Sequence, residues 1–174
     1  LMEAFPGVVT EGYGMTEVTL VATANPASRA AVKLGSVGIP IIDTEVRVVD
    51  AATGAPVARG ETGELCVRGP QCMQGYWNRP EETAAVFIDG WMHTGDIGRE
   101  DEEGYFYITD RKKDMILYKG YNVYPRELEE LLFTHPAVLQ CAVVGKPDER
   151  GGEIPVAFVQ LSPDRAATPE EILG

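Results

Sequence analysis

The feature that most constrains this chain is a change of pattern at one dense run of charge, Asp110-Arg111-Lys112-Lys113-Asp114. Before it, short apolar runs alternate with Gly- and Pro-containing turns, the pattern of short strands. Residues 7–13 read as a strand entering a turn at Gly12-Tyr13-Gly14, and residues 19–34 are small and polar with a weak signal. Residues 45–50 and 64–68 alternate polar with apolar around a turn at Thr53-Gly54-Ala55-Pro56. Pro80 opens a short helix, PEETAAVF, as proline does at a first helical position. Residues 91–97 and 105–109 read as strands separated by an acidic turn at 99–104. After the charge run, residues 115–123 are extended and Pro125 starts a helix through His135, with Leu128, Leu131 and Leu132 on one face. Strands follow at 139–144 and 154–161, then a capping box, Thr168-Pro169-Glu170-Glu171, opens a last helix. The pattern predicts a β-rich first part and a small α+β second part joined by the charged linker.

A compact chain of 174 residues, 44% hydrophobic and 24% charged, buries about 70% of its unfolded surface, enough for a core. Its 27 acidic and 15 basic residues leave a net charge of −12. That field repels phosphate backbones and argues against a nucleic-acid partner. It does not bear on a nucleotide in a local pocket. Cys66, Cys72 and Cys141 form no CxxC pair; they read as small apolar residues in a reducing, cytoplasmic compartment. No apolar run reaches the ~20 residues of a transmembrane segment, which leaves peripheral membrane attachment open. No signal peptide opens the chain. Leu1 falls inside what reads as a helical turn and Gly174 just after a new helix begins, so both ends read as cuts. Nothing in the pattern fixes an oligomeric state.

The stretch EGYGMTE, residues 11–17, is the most suggestive chemically. Its glycines let backbone approach a ligand, and Tyr13 offers a flat face for a base. Thr16 offers a hydroxyl to a phosphate oxygen, and Glu17 is a hard oxygen ligand suited to Mg²⁺. A tight turn with a solvated glutamate accounts for the same residues, because short Gly motifs are weak. WMHTGD, residues 91–96, sets Asp96 after a Gly bend at a strand end. There a carboxylate can accept both ribose hydroxyls, or simply close an Asx turn. Arg111 carries a planar donor fork, or is a surface charge. His93 and His135 read as structural. EDEEG, residues 100–104, fails as an EF-hand because position 99 is arginine. No Walker loop and no complete Rossmann fingerprint is present.

Seven motifs stand in one order: GYGMTE at 12–17, GELCVRG at 63–69, GYWNRPEET at 75–83, WMHTGD at 91–96, GYFYITDR at 104–111, KGYNVYP at 119–125 and PAVLQCAVVGK at 136–146. Together the chain resembles the second half of the AMP-forming acyl-CoA synthetases, of the adenylate-forming enzyme superfamily, and is most like fatty-acid-CoA ligases. The resemblance implies an α/β and α+β fold: residues 1–112 as the C-terminal part of the large AMP-binding domain, 113–174 as the start of the small C-terminal domain. Within the first, 1–39 would be the end of an α/β sheet and 40–112 a β-rich subdomain.

The resemblance further implies ATP, Mg²⁺ and coenzyme A as the small molecules handled. A carboxylic acid is joined to AMP with release of pyrophosphate; the small domain then turns on a hinge, and the coenzyme A thiol displaces AMP. Tyr13 is then the adenine-facing aromatic residue, with Gly14 beside it, and Thr16 the phosphate-binding hydroxyl. Glu17 is the Mg²⁺ ligand, counted with Thr16 as catalytic. Asp96 and Arg111 are the ribose residues, Lys113 the hinge, and Lys119 and Gly120 the loop facing pantetheine. GYWNRPEET is given a structural role only. The family's phosphate loop and its adenylation lysine have no counterpart in these residues, so the chain alone is expected to lack ligase activity. YITDRKKDMI and NVYPRELEELL favour a medium- or long-chain fatty acid. GYGMTE is shared with 4-coumarate-CoA ligases, which keeps an aryl acid open, as does a relic that binds AMP without turnover.

Overall fold

The computed structural model describes residues 7–28, 30–148 and 152–173. The chain divides into two compact units, Leu1–Ile108 and Thr109–Gly174.

In the first unit, β1 (Gly12–Tyr13), β2 (Thr23–Ala24) and β3 (Ile39–Pro40) form a small antiparallel sheet in that order. A larger sheet is built from β4 (Glu45–Val49), β5 (Gly63–Arg68), β6 (Phe87–Ile88), β7 (Trp91–Glu100) and β8 (Phe106–Arg111). Its order is β4-β5-β7-β6, with β8 also on β7. Strand β5 is buried from Gly63 to Val67 on both faces. Leu65 packs with Val48 and Phe106, and Val67 with Val18, Ala22 and Met92, while Cys66 packs on the opposite face with Val49 and Trp91. Tyr13 lies against both of the first two clusters, so the small sheet shares its core with the large one.

Two expected spans are shorter than the sequence suggested. The strand expected over 7–13 is confined to Gly12–Tyr13. Glu11 still accepts a backbone bond from Asn25 at 2.8 Å, just outside the pairing with β2. The helix α1 (Pro80–Val86) ends one residue before Phe87, which turns extended and pairs with Met92. The expected acidic turn closes the β7–β8 hairpin. Asp101 accepts the backbone N–H of Glu103 and of Tyr105, each at 2.9 Å. Lys33 reaches across to Asp101 at 2.7 Å and Glu103 at 2.8 Å.

Burial alone would raise the Asp101 carboxyl, but the hydrogen bonds from Lys33 and the two backbone amides outweigh it and hold the group down at about 2. Because the folded value lies below the ordinary one of 3.8, the native state takes up this proton less readily than the unfolded chain. The contribution of Asp101 to stability is therefore complete above that ordinary value and vanishes as pH falls to about 2. Urea unfolding at a series of pH values should show Asp101→Asn less stable at neutrality. Its stability should also fall less than that of the unsubstituted chain across that acid window. Parallel curves would contradict this account.

The second unit starts from the end of β8 and a 3-10 turn, Lys112–Asp114. The stretch expected to be extended over 115–123 is instead a hairpin of β9 (Ile116–Tyr118) and β10 (Tyr121–Val123). Lys119 and Gly120 form its two-residue loop with φ of 50° and 86°, the pair of left-handed residues that closes a tight hairpin. Helix α2 (Pro125–Phe133) packs against β11 (Val138–Pro147), which pairs antiparallel with β12 (Glu153–Leu161), and α3 (Pro169–Leu173) follows. The core is Ile116, Leu132 and Val143, with Leu128 and Ile172 against it.

Leu131, expected on the buried face of α2, is 66% exposed. The inward face runs through Leu128, Glu129 and Leu132, since Glu129 accepts the Val143 N–H at 2.8 Å. The helix also stops before His135, whose successor Pro136 disfavours helical backbone there. The expected capping box is present in both directions: the Thr168 N–H bonds Glu171 at 2.8 Å, and the Glu171 N–H bonds the Thr168 hydroxyl at 3.3 Å. Asp110 is not mere linker charge. It accepts the Arg126 N–H in the first turn of α2 at 3.1 Å, where an acidic group is favoured by the helix dipole.

Candidate nucleotide site

The candidate site in the first unit is assembled from three segments far apart in sequence. Residues 12–25 form a tight reversal in which Ala22 N–H bonds the Tyr13 carbonyl at 2.8 Å. Thr19 and Leu20 at its tip hold φ of 51° and 86°, costly positions for side-chain-bearing residues that surrounding structure must impose. Gly14 was expected to let a ligand approach. The close approach is made by the chain itself: a Cβ at Gly14 would lie 1.8 Å from the Leu20 carbonyl oxygen.

Tyr13 donates its hydroxyl to Asp96 at 2.6 Å. This bond joins the tyrosine turn to β7 across 83 residues of chain. Tyr13 is half-buried and Asp96 is 4% exposed. Thr16 and Glu17 follow in a 3-10 turn, Thr16–Val18, with Thr16 exposed and Val18 seated in the core. Glu17 accepts the Tyr76 hydroxyl at 2.8 Å, and its carbonyl accepts the Met73 N–H at 2.7 Å. The Glu17 carboxylate raises the Tyr76 phenol above its ordinary value by accepting that bond. The GYWNRPEET segment therefore does more than shape a turn, because its tyrosine holds the candidate metal ligand. No group of three or more acidic, His or Cys side chains able to hold a metal occurs among the described residues. A single carboxylate suits Mg²⁺, which keeps waters and takes substrate phosphates alongside one or two carboxylates. Glu17 fits that requirement.

Asp96 does not follow a bend at a strand end, as expected, but lies inside β7 within an internal bulge. Glu64 pairs with Ile97 and Cys66 with His93, so β5 advances two residues where β7 advances four. The excess is taken up at Thr94-Gly95-Asp96, with Gly95 at φ 72°. Side chains satisfy the backbone groups this frees. Thr94 donates its hydroxyl to the Leu65 carbonyl at 2.8 Å and accepts the Asp96 N–H at 3.1 Å, while Glu64 accepts the Gly95 N–H at 3.1 Å. Glu64, Thr94 and Tyr76 stand inside the motifs, but the motifs alone assign them no role. The available signal is Glu64 itself, a charged residue directly before the apolar run Leu65-Cys66-Val67.

The remaining expected site residues belong to the second unit. Arg111 is exposed at the end of β8, Lys113 is exposed in the 3-10 turn, and Lys119 and Gly120 form the β9–β10 loop. Gly120 is needed there for its positive φ, because an added Cβ would meet nothing within 4 Å.

Residues 1–77 match the family described as AMP-binding enzyme, and residues 127–174 match the AMP-binding enzyme C-terminal domain. The chain belongs to this AMP-binding enzyme family. It is 49% identical over 166 residues to a long-chain-fatty-acid–CoA ligase of Bacillus subtilis, covering 95% of this chain and 30% of that protein. It is 45% identical over 164 residues to a feruloyl-CoA synthase of Amycolatopsis, covering 94% of this chain and 33% of the relative. ATP-bound MatB from Rhodopseudomonas palustris superposes with a TM-score of 0.82 at 39% identity, over 95% of this chain and 33% of that one. The chain thus spans about a third of the length of the proteins it matches. Among the described residues no helix is long and apolar enough to cross a membrane.

Proposed function

We propose that these residues supply the adenosine side of the active site, and the start of the small domain, of an ATP-dependent acid–thiol ligase. The reaction is carboxylate, ATP and coenzyme A to acyl-CoA, AMP and pyrophosphate, with a medium- or long-chain fatty acid as the carboxylate. The observation that carries this reading is the Tyr13–Asp96 hydrogen bond, which sets a flat ring and a buried carboxylate side by side. The Tyr13 ring faces the adenine and Asp96 accepts the ribose hydroxyls. Thr16 bonds a phosphate oxygen, and Glu17, held by Tyr76, is the carboxylate for magnesium. Bound there, magnesium neutralises charge on the transferring phosphates. In the second unit, Arg111 serves the ribose, Lys113 is the hinge, and the Lys119–Gly120 loop presents backbone to pantetheine. Residues 1–112 belong to the large domain and 113–174 to the small one. A cytoplasmic location goes with this chemistry.

The fatty-acid assignment is supported by the Bacillus subtilis relative. An aryl acid is the second reading, favoured by the 45% identity to the feruloyl-CoA synthase. AMP release by the full-length protein carrying this sequence, measured with octanoate, palmitate and 4-coumarate in the presence of ATP, Mg²⁺ and coenzyme A, decides between them. A fatty acid is expected to be fastest. Coumarate leading would shift the assignment to aryl acids, and no AMP with any acid would overturn the ligase reading. The 174 residues alone are expected to catalyse no ATP–pyrophosphate exchange.

A further inference from the structure

A glutamate with 3% exposure near the start of a central strand needs a reason, since burying a carboxylate without partners is costly. Glu64 is such a residue. It stands on the same face of β5 as Cys66, next to the strand that carries Asp96. Its two oxygens have separate partners, both on β7. One accepts the Gly95 N–H at 3.1 Å, and the other meets His93 Nδ1 at 2.9 Å. Both partners lie within three residues of Asp96, and Gly95 is the left-handed residue on which the bulge turns. In a regular β5–β7 ladder the Gly95 N–H would have a carbonyl acceptor. In the bulge it has the Glu64 carboxylate.

The two extra residues of β7 are an even number, so the faces of the flanking ladder are kept. What the bulge sets is the path of Thr94-Gly95-Asp96 itself, where the left-handed Gly95 breaks the alternation that would otherwise fix the direction of the Asp96 side chain. The direction in which Asp96 points thus depends on a conformation held by Glu64, with Thr94 closing the other side.

We propose that Glu64 is a positioning residue for nucleotide recognition: its buried carboxylate holds the Gly95 bulge that aims Asp96 at the ribose hydroxyls. This rests on the ribose reading of Asp96. Glu64 itself touches no nucleotide in this scheme. It acts through the backbone of its neighbour strand, which is why the GELCVRG motif accompanies WMHTGD in one chain.

The test measures AMP, 2′-deoxy-AMP and 3′-deoxy-AMP binding by calorimetry to the full-length protein and to Glu64→Gln and Glu64→Met. The unsubstituted protein should prefer AMP over the deoxy forms by ~10-fold or more, the ratio expected for hydroxyls bonded to a charged acceptor. Glu64→Met keeps the volume but offers no acceptor. It should bind all three within about twofold of one another, with AMP affinity lowered ~10-fold or more. Glu64→Gln keeps a carbonyl for the Gly95 N–H and should restore the preference. A merely structural glutamate would lower stability in both variants and leave the ratio unchanged. A folded Glu64→Met that still prefers AMP overturns the proposal. Equal affinities in the unsubstituted protein overturn the ribose reading, and this proposal with it. Should Glu64→Met not fold, hydrogen exchange at the Gly95 amide of the unsubstituted protein decides: protection supports the bond to Glu64, and rapid exchange overturns it.

Discussion

Gly14→Ala is expected to destabilise the first unit by about 3–5 kcal/mol and to remove nucleotide binding with it. The added methyl would sit 1.8 Å from the Leu20 carbonyl oxygen and 2.5 Å from its carbon. These are backbone atoms, so no rotamer change relieves the clash. The reversal cannot open locally either. The Ala22 N–H is bonded to Tyr13, Val18 and Ala22 are fully buried, and the Thr19 hydroxyl bonds the Gln71 carbonyl at 2.8 Å. Chemical denaturation of the full-length variant should show the loss directly. Gly54→Ala is a suitable control, because a Cβ there meets nothing within 4 Å and only the φ of 72° is strained. Equal losses in the two variants would show that the close contact at Gly14 carries no special weight.

Asp96→Ala is the second large effect, and here the expected loss falls on the ligand. Removing a charged acceptor from a ribose costs about 1.5–3 kcal/mol, or ~10- to 150-fold in AMP affinity. Tyr13→Phe separates this from the bond inside the protein, since it removes only the hydroxyl that Asp96 accepts at 2.6 Å. It keeps the ring and the carboxylate, so its effect on AMP affinity should be several-fold smaller. Calorimetric titration with AMP reads both variants. An Asp96→Ala protein that melts normally and binds AMP with unchanged affinity would rule out the ribose contact.

The parts of this fold that were plain in the sequence are those governed by local rules. Alternation marked β4 and β5, proline marked the starts of α1 and α2, and the Thr168–Glu171 spacing gave both capping bonds. The parts that were not plain depend on partners distant in sequence. Nothing local distinguishes a Thr-Gly-Asp turn from a bulge within a long strand. That difference is set by Glu64, some thirty residues earlier, whose side chain is 29 residues from His93 and 31 from Gly95. The resemblance placed a loop at Lys119–Gly120, but local pattern did not show the hairpin turn there, because lysine is not a residue that usually signals a left-handed turn position. Leu131 was misplaced because three leucines at helical spacing define a stripe but not its centre, which the contact of Glu129 with β11 fixes.

The candidate site was legible as a set of residues but not as a construction. Tyr13 and Asp96 were both marked by their motifs. That each completes the other's hydrogen bonding, and that Tyr76 holds Glu17, required the structure.

The three ties from the tyrosine turn, to Gln71, Tyr76 and Asp96, also govern how such enzymes can exchange parts by recombination. A crossover placed between β3 and β4 would separate the turn from all three of its partners at once. The offspring would keep the ties only where the parents supply matching side chains for the Glu17–Tyr76 and Tyr13–Asp96 pairs and a hydroxyl at position 19, since the Gln71 end is a backbone carbonyl. A crossover after Ile108, where the first unit ends, would leave all three ties within one parental block, together with the Lys33–Asp101 pair and the packing of Phe106 on Leu65.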